Sequence, residues 1–276
     1  MDRPSEMAPL TFVDGAYRTA PGDRSPVARL FPSLSFYTRY VHLIYSGARS
    51  ARRGTYKDED WSRTSLGLLR GLEAVGVRLE VTGTEHFSRL QGPCVFVGNH
   101  MSTLEAAVLP TIIQPLKKVT FIVKRSLVEY PIFGHIMRSR DPIVVGRTNA
   151  RDDLKAVIEG GAARLGAGIS IVVFPQTTRT VIFDPAEFNS IGIKLAKRAQ
   201  VPVVPLALKT DAWANGSLVK DFGKIAPAKT AHFAFGAPLS IHGTGSGEHQ
   251  QVVEFIRGNL LAWGGTVANA PAPAAG

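Results

Sequence analysis

The chain has 276 residues, 45% of them hydrophobic, which is enough apolar surface to bury a sizeable core in one folded unit. Its lone cysteine, Cys94, excludes a disulfide framework and fits a reducing compartment; it sits in the apolar run Cys94–Val97, where a core role is expected. The formal net charge of +10, with the basic excess mainly in residues 1–150, favours anionic partners: nucleic acid, an acidic carrier protein, a phosphorylated small molecule or a lipid surface.

Residues 1–29 read as a polar segment that mixes acids and bases. It lacks the charge-then-apolar layout of a secretory signal, so the protein is expected to stay inside the cell. From Leu30 to Gly54 the chain sets Phe31, Phe36, Tyr37, Tyr40 and Tyr45 among Arg39, Arg49, Arg52 and Arg53, with no acidic residue. A helix of this kind suits the headgroup level of an anionic membrane surface. An amphipathic helix packed on the domain fits the same pattern. No stretch reaches the roughly 18 consecutive apolar residues that a bilayer-spanning helix needs. A second helical pattern over Trp61–Val75 completes an N-terminal helical extension, residues 30–76, which could associate with a membrane.

Residues 77–263 then alternate short β-branched runs with helical patterns. Strands are expected at Arg78–Thr82, Cys94–Val97, Val119–Val123, Pro142–Val145, Ile169–Phe174, Val201–Leu208 and His232–Phe235. Helices are expected at Ser102–Ile113, Asp152–Leu165, Asn189–Ala199 and Gln250–Trp263. This alternation predicts the α/β class: a mostly parallel central sheet flanked by helices. Residues 264–276, rich in Ala, Pro and Gly, read as a disordered tail.

The chemistry centres on His100, which leaves the apolar run ending at Val97 just before a helix whose N-cap is Ser102. Glu105, in the first turn of that helix, can fold back to Nδ1 of the ring. A carboxylate there fixes the tautomer and frees Nε2 to take a proton from a hydroxyl. The same four residues, Ser102-Thr103-Leu104-Glu105, also spell a capping box, in which Glu105 only satisfies backbone N–H groups. A second His/acid pair at the same spacing, His249 and Glu254, falls within a helical pattern. Five helical positions turn the two side chains about 140° apart, so that pair is not expected to meet. No dinucleotide-binding glycine motif, phosphate-binding loop or Cys/His metal spacing is present.

Asn99-His100-Met101-Ser102-Thr103-Leu104-Glu105 resembles the first block of the glycerolipid acyltransferase superfamily, whose members include the lysophosphatidic acid (1-acyl-sn-glycerol-3-phosphate) acyltransferases. Three further blocks follow in order. Lys124, Arg125, Ser126, Pro131, Phe133 and Gly134 through Ile143–Arg147 are similar to the second. Phe174-Pro175-Gln176-Thr177-Thr178-Arg179-Thr180 is similar to the third, usually Phe-Pro-Glu-Gly-Thr-Arg-Ser, and Val201–Ala207 to the fourth. Four ordered blocks, each at a strand end or turn, coincide by accident far less readily than any one of them.

The resemblance implies a catalytic His100 and Glu105, with Glu standing where glycerophospholipid members usually carry Asp. It implies that Lys124, Arg125 and Arg147, together with Gln176, Thr177, Thr178 and Arg179, bind the acceptor; a solvated basic face is the other reading of the first three. Gln176 for Glu and Thr177 for Gly depart from the usual third block, through an adjusted pocket or an unusual acceptor. The implied activity is transfer of a fatty acyl group from acyl-CoA or acyl carrier protein to the hydroxyl of a lysolipid in phospholipid biosynthesis, most simply 1-acyl-sn-glycerol-3-phosphate. No metal or bound cofactor is implied, the partners being the donor thioester, the lysolipid acceptor and an anionic membrane surface rather than nucleic acid. The implied location is cytoplasmic, peripheral on the inner face of the cell membrane. Two other readings are an acyltransferase acting on an aminolipid or glycolipid, and a non-catalytic membrane-surface protein.

Overall fold

Each β-branched run expected to form a strand does so, and the helical patterns fall between them. The computed structural model describes residues 8–269, apart from Thr177 and Leu218. Its first elements are β1 (Tyr17–Arg18), α1 (Pro26–Leu30), α2 (Pro32–Arg52) and α3 (Asp58–Ala74). There follow β2 (Arg78–Thr82), α4 (Thr84–Ser88), β3 (Val95–Gly98), α5 (Thr103–Ile113), β4 (Val119–Lys124), α6 (Arg125–Glu129), α7 (Phe133–Arg138) and β5 (Ile143–Val145). The remainder comprises α8 (Ala150–Gly166), β6 (Ser170–Val173), β7 (Ile182–Phe183), α9 (Ile191–Ala199), β8 (Val203–Lys209), β9 (Thr230–Phe235), α10 (Ser246–Ala262) and β10 (Thr266–Val267).

Eight strands form one sheet in the order β1-β2-β9-β8-β3-β6-β4-β5. The five from β8 to β5 run parallel, so their carboxyl ends share one rim. β9 runs antiparallel to β8 and parallel to β2, and β1 closes that edge antiparallel to β2. Parallel strands covered by helices on both faces must be apolar at every position, and the whole of β3, Val95–Gly98, is buried. Alternation splits its side chains: Phe96 joins Val204, Leu206 and Leu69 in one core, while Val95 and Val97 join Val173, Leu195 and Ile256 in the other.

The N-terminal helices share the first of these cores. Phe36, Ile44 and Ala48 of α2 and Leu68, Leu69 and Leu72 of α3 lie in the same buried cluster as sheet residues. Tyr37 and Tyr40 pack edge-on against Trp213, their ring centroids 5.9 and 5.7 Å from the indole. The inward face of α2 is therefore a packed face. Its outward face keeps Leu34, Val41 and Tyr45 exposed, continuing from Leu30 and Phe31. Of the two alternatives posed by the composition of this segment, the helix packed on the domain is what the inward face shows.

Two segments differ from the sequence-based expectation. The polar residues ahead of α1 are tied into the fold by β1, where the Tyr17 hydroxyl donates to Glu73 at 2.5 Å and the Thr19 hydroxyl at 2.7 Å. Residues 266–267, expected within the tail, belong to the fold: Thr266–Val267 pair in parallel with Ile182–Phe183 and Val267 is buried. Phe183 and Val267 bury each other's apolar surface, and that local gain is invisible in a count of Ala, Pro and Gly. Residues 270–276 lie outside the described residues.

One buried hydroxyl locks α3 to α5. Pro110 sits inside α5 and cannot donate to its ladder. Nearby, Ser65 of α3 donates to the Ala107 carbonyl at 2.6 Å and accepts from the Thr111 N–H at 3.0 Å. Ser65→Ala removes both of these buried bonds between α3 and α5 and should lower unfolding free energy by about 1–3 kcal/mol in a urea titration, with the native circular dichroism retained.

Candidate active site

The rim formed by the carboxyl ends of the parallel strands gathers nearly every residue singled out from the sequence. This is where open α/β sheets place their ligands. β3 ends at Gly98, whose absent Cβ would lie 2.8 Å from the Leu206 carbonyl oxygen of β8. Asn99 then continues the pairing by side chain: its amide donates to the Leu208 carbonyl at 2.7 Å and its Oδ1 accepts from the Leu208 N–H at 2.9 Å. This double bond to β8 sets the point at which the chain turns into α5.

At that turn, His100 Nδ1 lies 2.9 Å from Glu105 Oε1. The imidazole is 19% exposed, whereas the carboxylate has no exposed surface. Glu105 Oε1 also accepts from the backbone N–H groups of Met101 and Ser102, at 2.6 and 2.9 Å. Oε2 accepts from the hydroxyls of Ser102, at 3.1 Å, and Thr210, at 2.5 Å. The capping box and the His–carboxylate pair coexist in one side chain. Phe174 stacks flat on the imidazole, with centroids 4.4 Å apart and planes 2° apart, so the ring is held by an edge bond and a face contact. Because Glu105 occupies Nδ1, Nε2 on the far edge is the nitrogen left for a reacting hydroxyl.

The third block follows β6, the immediate neighbour of β3. Gln176 is buried, and its Oε1 accepts from the His100 backbone N–H at 2.6 Å. An amide oxygen accepts that bond as a carboxylate would, which is a physical reason why Gln is tolerated here. Thr177 lies outside the described residues. Thr178 is exposed and accepts from Lys220 Nζ at 3.1 Å. Arg179 reaches the first turn of α5, where its guanidinium donates to the Thr103 hydroxyl and pairs with Asp221 at 2.8 Å.

The second-block cations stand further along the rim. β4 is two strands and β5 three strands from β3. At about 4.8 Å per strand, Lys124 and Arg125 begin roughly 10 Å from the histidine turn and Arg147 roughly 14 Å away. All three are exposed. Arg147 has a left-handed backbone, φ +59°, and its N–H donates to Asp153 at 2.8 Å. The decoy pair separates as expected: Glu254 pairs with Arg257 at 3.2 Å, while His249 stacks near Phe188. Among the described residues no group of three or more His, Cys, Asp or Glu could hold a metal ion.

Sequence reasoning missed Phe174 as the platform for the imidazole, Thr210 as a donor to Glu105, and Asp221 as the partner of Arg179. Thr210 follows the fourth-block strand and could have been found by asking what each parallel strand delivers at its carboxyl end. Asp221 lies in an irregular loop and carries no local signal.

The family described as Acyltransferase matches residues 78–209, the span from β2 to the end of β8. The 1-acyl-sn-glycerol-3-phosphate acyltransferase of Pseudomonas aeruginosa is 32% identical over 176 residues, 64% of this chain and 60% of its own length. The corresponding alpha enzyme of Homo sapiens is 29% identical over 67% of this chain and 65% of its own length. The chain thus spans less than two thirds of these relatives. Among solved structures, the 1-acyl-sn-glycerophosphate (LPA) acyltransferase PlsC from Thermotoga maritima superposes with a TM-score of 0.64 over 86% of this chain and 96% of that one, at 17% identity. That likeness bears on the fold, and it matches the expected α/β class.

The electrostatics of Glu105 give a test. Burial pushes its carboxyl upward, but hydrogen bonding and attraction from His100, the Thr210 hydroxyl and the Ser102 N–H outweigh that penalty and hold it below the ordinary carboxylate range. A depressed folded value means the ionised group stabilises the fold above its unfolded pKa, and that contribution is lost as pH falls through the lower folded value. Glu105→Gln must turn an amide donor toward groups that are already donors. It should cost about 1–3 kcal/mol at neutral pH, with the gap to the native protein narrowing as the solution is acidified below the ordinary carboxylate pKa. Urea titrations across a pH series measure both.

Proposed function

We propose that this chain, whose residues 78–209 match the family described as Acyltransferase, transfers a fatty acyl group from an acyl thioester, on coenzyme A or acyl carrier protein, to the free hydroxyl of 1-acyl-sn-glycerol 3-phosphate. The observation that carries this reading is the 2.9 Å contact between His100 Nδ1 and a fully buried Glu105. His100 Nε2 takes the proton of the acceptor hydroxyl, and the alkoxide attacks the thioester carbonyl. The tetrahedral intermediate collapses, the C–S bond breaks, and the imidazolium returns its proton to the departing thiolate. Glu105 keeps the ring in the reactive tautomer and stabilises its cationic form. No acyl-enzyme is required, because the acceptor itself is the nucleophile.

Arg179 supplies the clamp for the acceptor phosphate, since a guanidinium fork matches phosphate oxygens in pairs. Thr178 precedes it in the chain and, with Thr177, belongs to the same acceptor-binding block. Lys124, Arg125 and Arg147 line the more distant rim and attract the remaining anionic groups of acceptor or donor. The enzyme works as a peripheral protein on the inner face of the cell membrane: no described helix is long and apolar enough to cross a membrane, while Leu30, Phe31, Leu34, Val41 and Tyr45 offer lipid an apolar stripe on α1 and α2.

His100→Ala should lower kcat roughly 10²- to 10⁴-fold with the fold intact. Arg179→Ala should chiefly raise the acceptor KM, roughly 10- to 100-fold. Thioester-release assays with lysophosphatidate measure both, and a fully active, folded His100→Ala protein would refute the proposal. For the membrane, Leu34→Glu with Val41→Glu should reduce co-sedimentation with phosphatidylglycerol vesicles while leaving the circular dichroism unchanged; undiminished binding would place the contact on another face.

A further inference from the structure

The loop between β8 and β9 connects the histidine turn, the arginine clamp and the N-terminal helix. On one side Asn215 donates to the Met101 carbonyl at 3.0 Å, and Lys220 reaches Thr178. On the other side the Tyr37 hydroxyl donates to the Gly223 carbonyl at 2.5 Å, and the Ile225 N–H donates to the Ser33 hydroxyl at 3.0 Å. Phe222 packs against both Tyr37 and Tyr40, with centroids 5.6 and 5.8 Å away. Asp221 therefore hangs from a backbone fixed at its next residue. Its carboxylate meets Arg179 Nη1 at 2.8 Å and accepts a long bond from the Thr103 hydroxyl at 3.4 Å.

We propose that Asp221 is an internal placeholder for the acceptor's phosphate on Arg179, displaced when a phosphorylated lysolipid binds. This rests on the acceptor reading given above. The carboxylate brings one negative charge and one contact to the guanidinium. A phosphomonoester near neutral pH brings close to two charges and three acceptor oxygens. The phosphate displaces Asp221, whose side chain is 27% exposed and can turn into solvent, while the loop stays anchored to α2. An uncharged lysolipid has nothing to exchange for the ion pair, so Asp221 stays on Arg179 and the clamp remains closed to it. Lys220, beside Asp221, keeps the local balance positive when the carboxylate leaves.

The test compares the full-length native protein, Asp221→Asn, Arg179→Ala and the double variant, using an acyl thioester with either lysophosphatidate or monoacylglycerol as acceptor. Asn keeps an oxygen for Thr103 and removes only the charge. Asp221→Asn should lower the KM for lysophosphatidate roughly two- to fivefold at unchanged kcat, the scale of a partly exposed ion pair that no longer has to be broken. The KM for monoacylglycerol should not move, and the gain should vanish in the Arg179→Ala background. Inorganic phosphate, titrated calorimetrically, should bind Asp221→Asn more tightly than the native protein by the same factor. A raised KM would show that Asp221 orients Arg179 in the loaded site, and a gain surviving without Arg179 would show a general charge effect; either overturns the placeholder. If the native protein transfers no acyl group to lysophosphatidate, the acceptor reading fails on its own, and the phosphate titration still decides whether Asp221 competes for the clamp.

Discussion

A carboxylate with no exposed surface survives in a protein only if enough donors converge on it, and Glu105 has five: two backbone N–H groups, two hydroxyls and the His100 ring. The rest of the site follows from that requirement. The two N–H groups come from the helix entry, which fixes α5 against the end of β3. Thr210 comes from the end of β8, which ties the turn to the next parallel strand. His100 then takes the one direction left open, and its far edge faces the rim. The bonds that keep a charge buried here are thus the same ones that orient the imidazole.

Much of this was legible in the residues. The period-two and period-3.6 apolar patterns marked the major strands and helices, and the parallel order follows from their alternation. Ser102 through Glu105 announced both a cap and a partner for His100; only the coordinates show that one carboxylate serves both, because two oxygens with four lone-pair directions can. What stayed hidden was long-range. Asp221 meets Arg179 across an irregular loop, and Phe174 stacks on a ring 74 positions away, so neither has a periodic or local signature. The two-residue strands β1, β7 and β10 are too short to show a period. By composition Tyr37 and Tyr40 suited a membrane-facing helix or one packed on the domain, and the fold packs them against Trp213.

The N-terminal helices are therefore packed into the same body that carries the candidate site. α2 contributes Phe36 to the core, grips the Asp221 loop through Tyr37 and Ser33, and presents its opposite side to the surroundings. α3 holds α5 through Ser65, and α5 carries Glu105. Under the proposed function, the exposed apolar stripe that meets lipid and the Arg179 clamp are joined through a short series of packed contacts, so an acyl chain lying in a bilayer and its headgroup are served by one frame.

Gln176 has an electrical consequence. A carboxylate at this position, as in the usual third block, would bring a second formal negative charge to within hydrogen-bonding distance of the His100 main chain. The amide supplies the same acceptor atom without that charge and without a proton to gain in acid. Under the proposed function an incoming phosphate consequently meets one fewer repulsive neighbour on the rim, and the shape of the histidine turn becomes insensitive to pH at this bond.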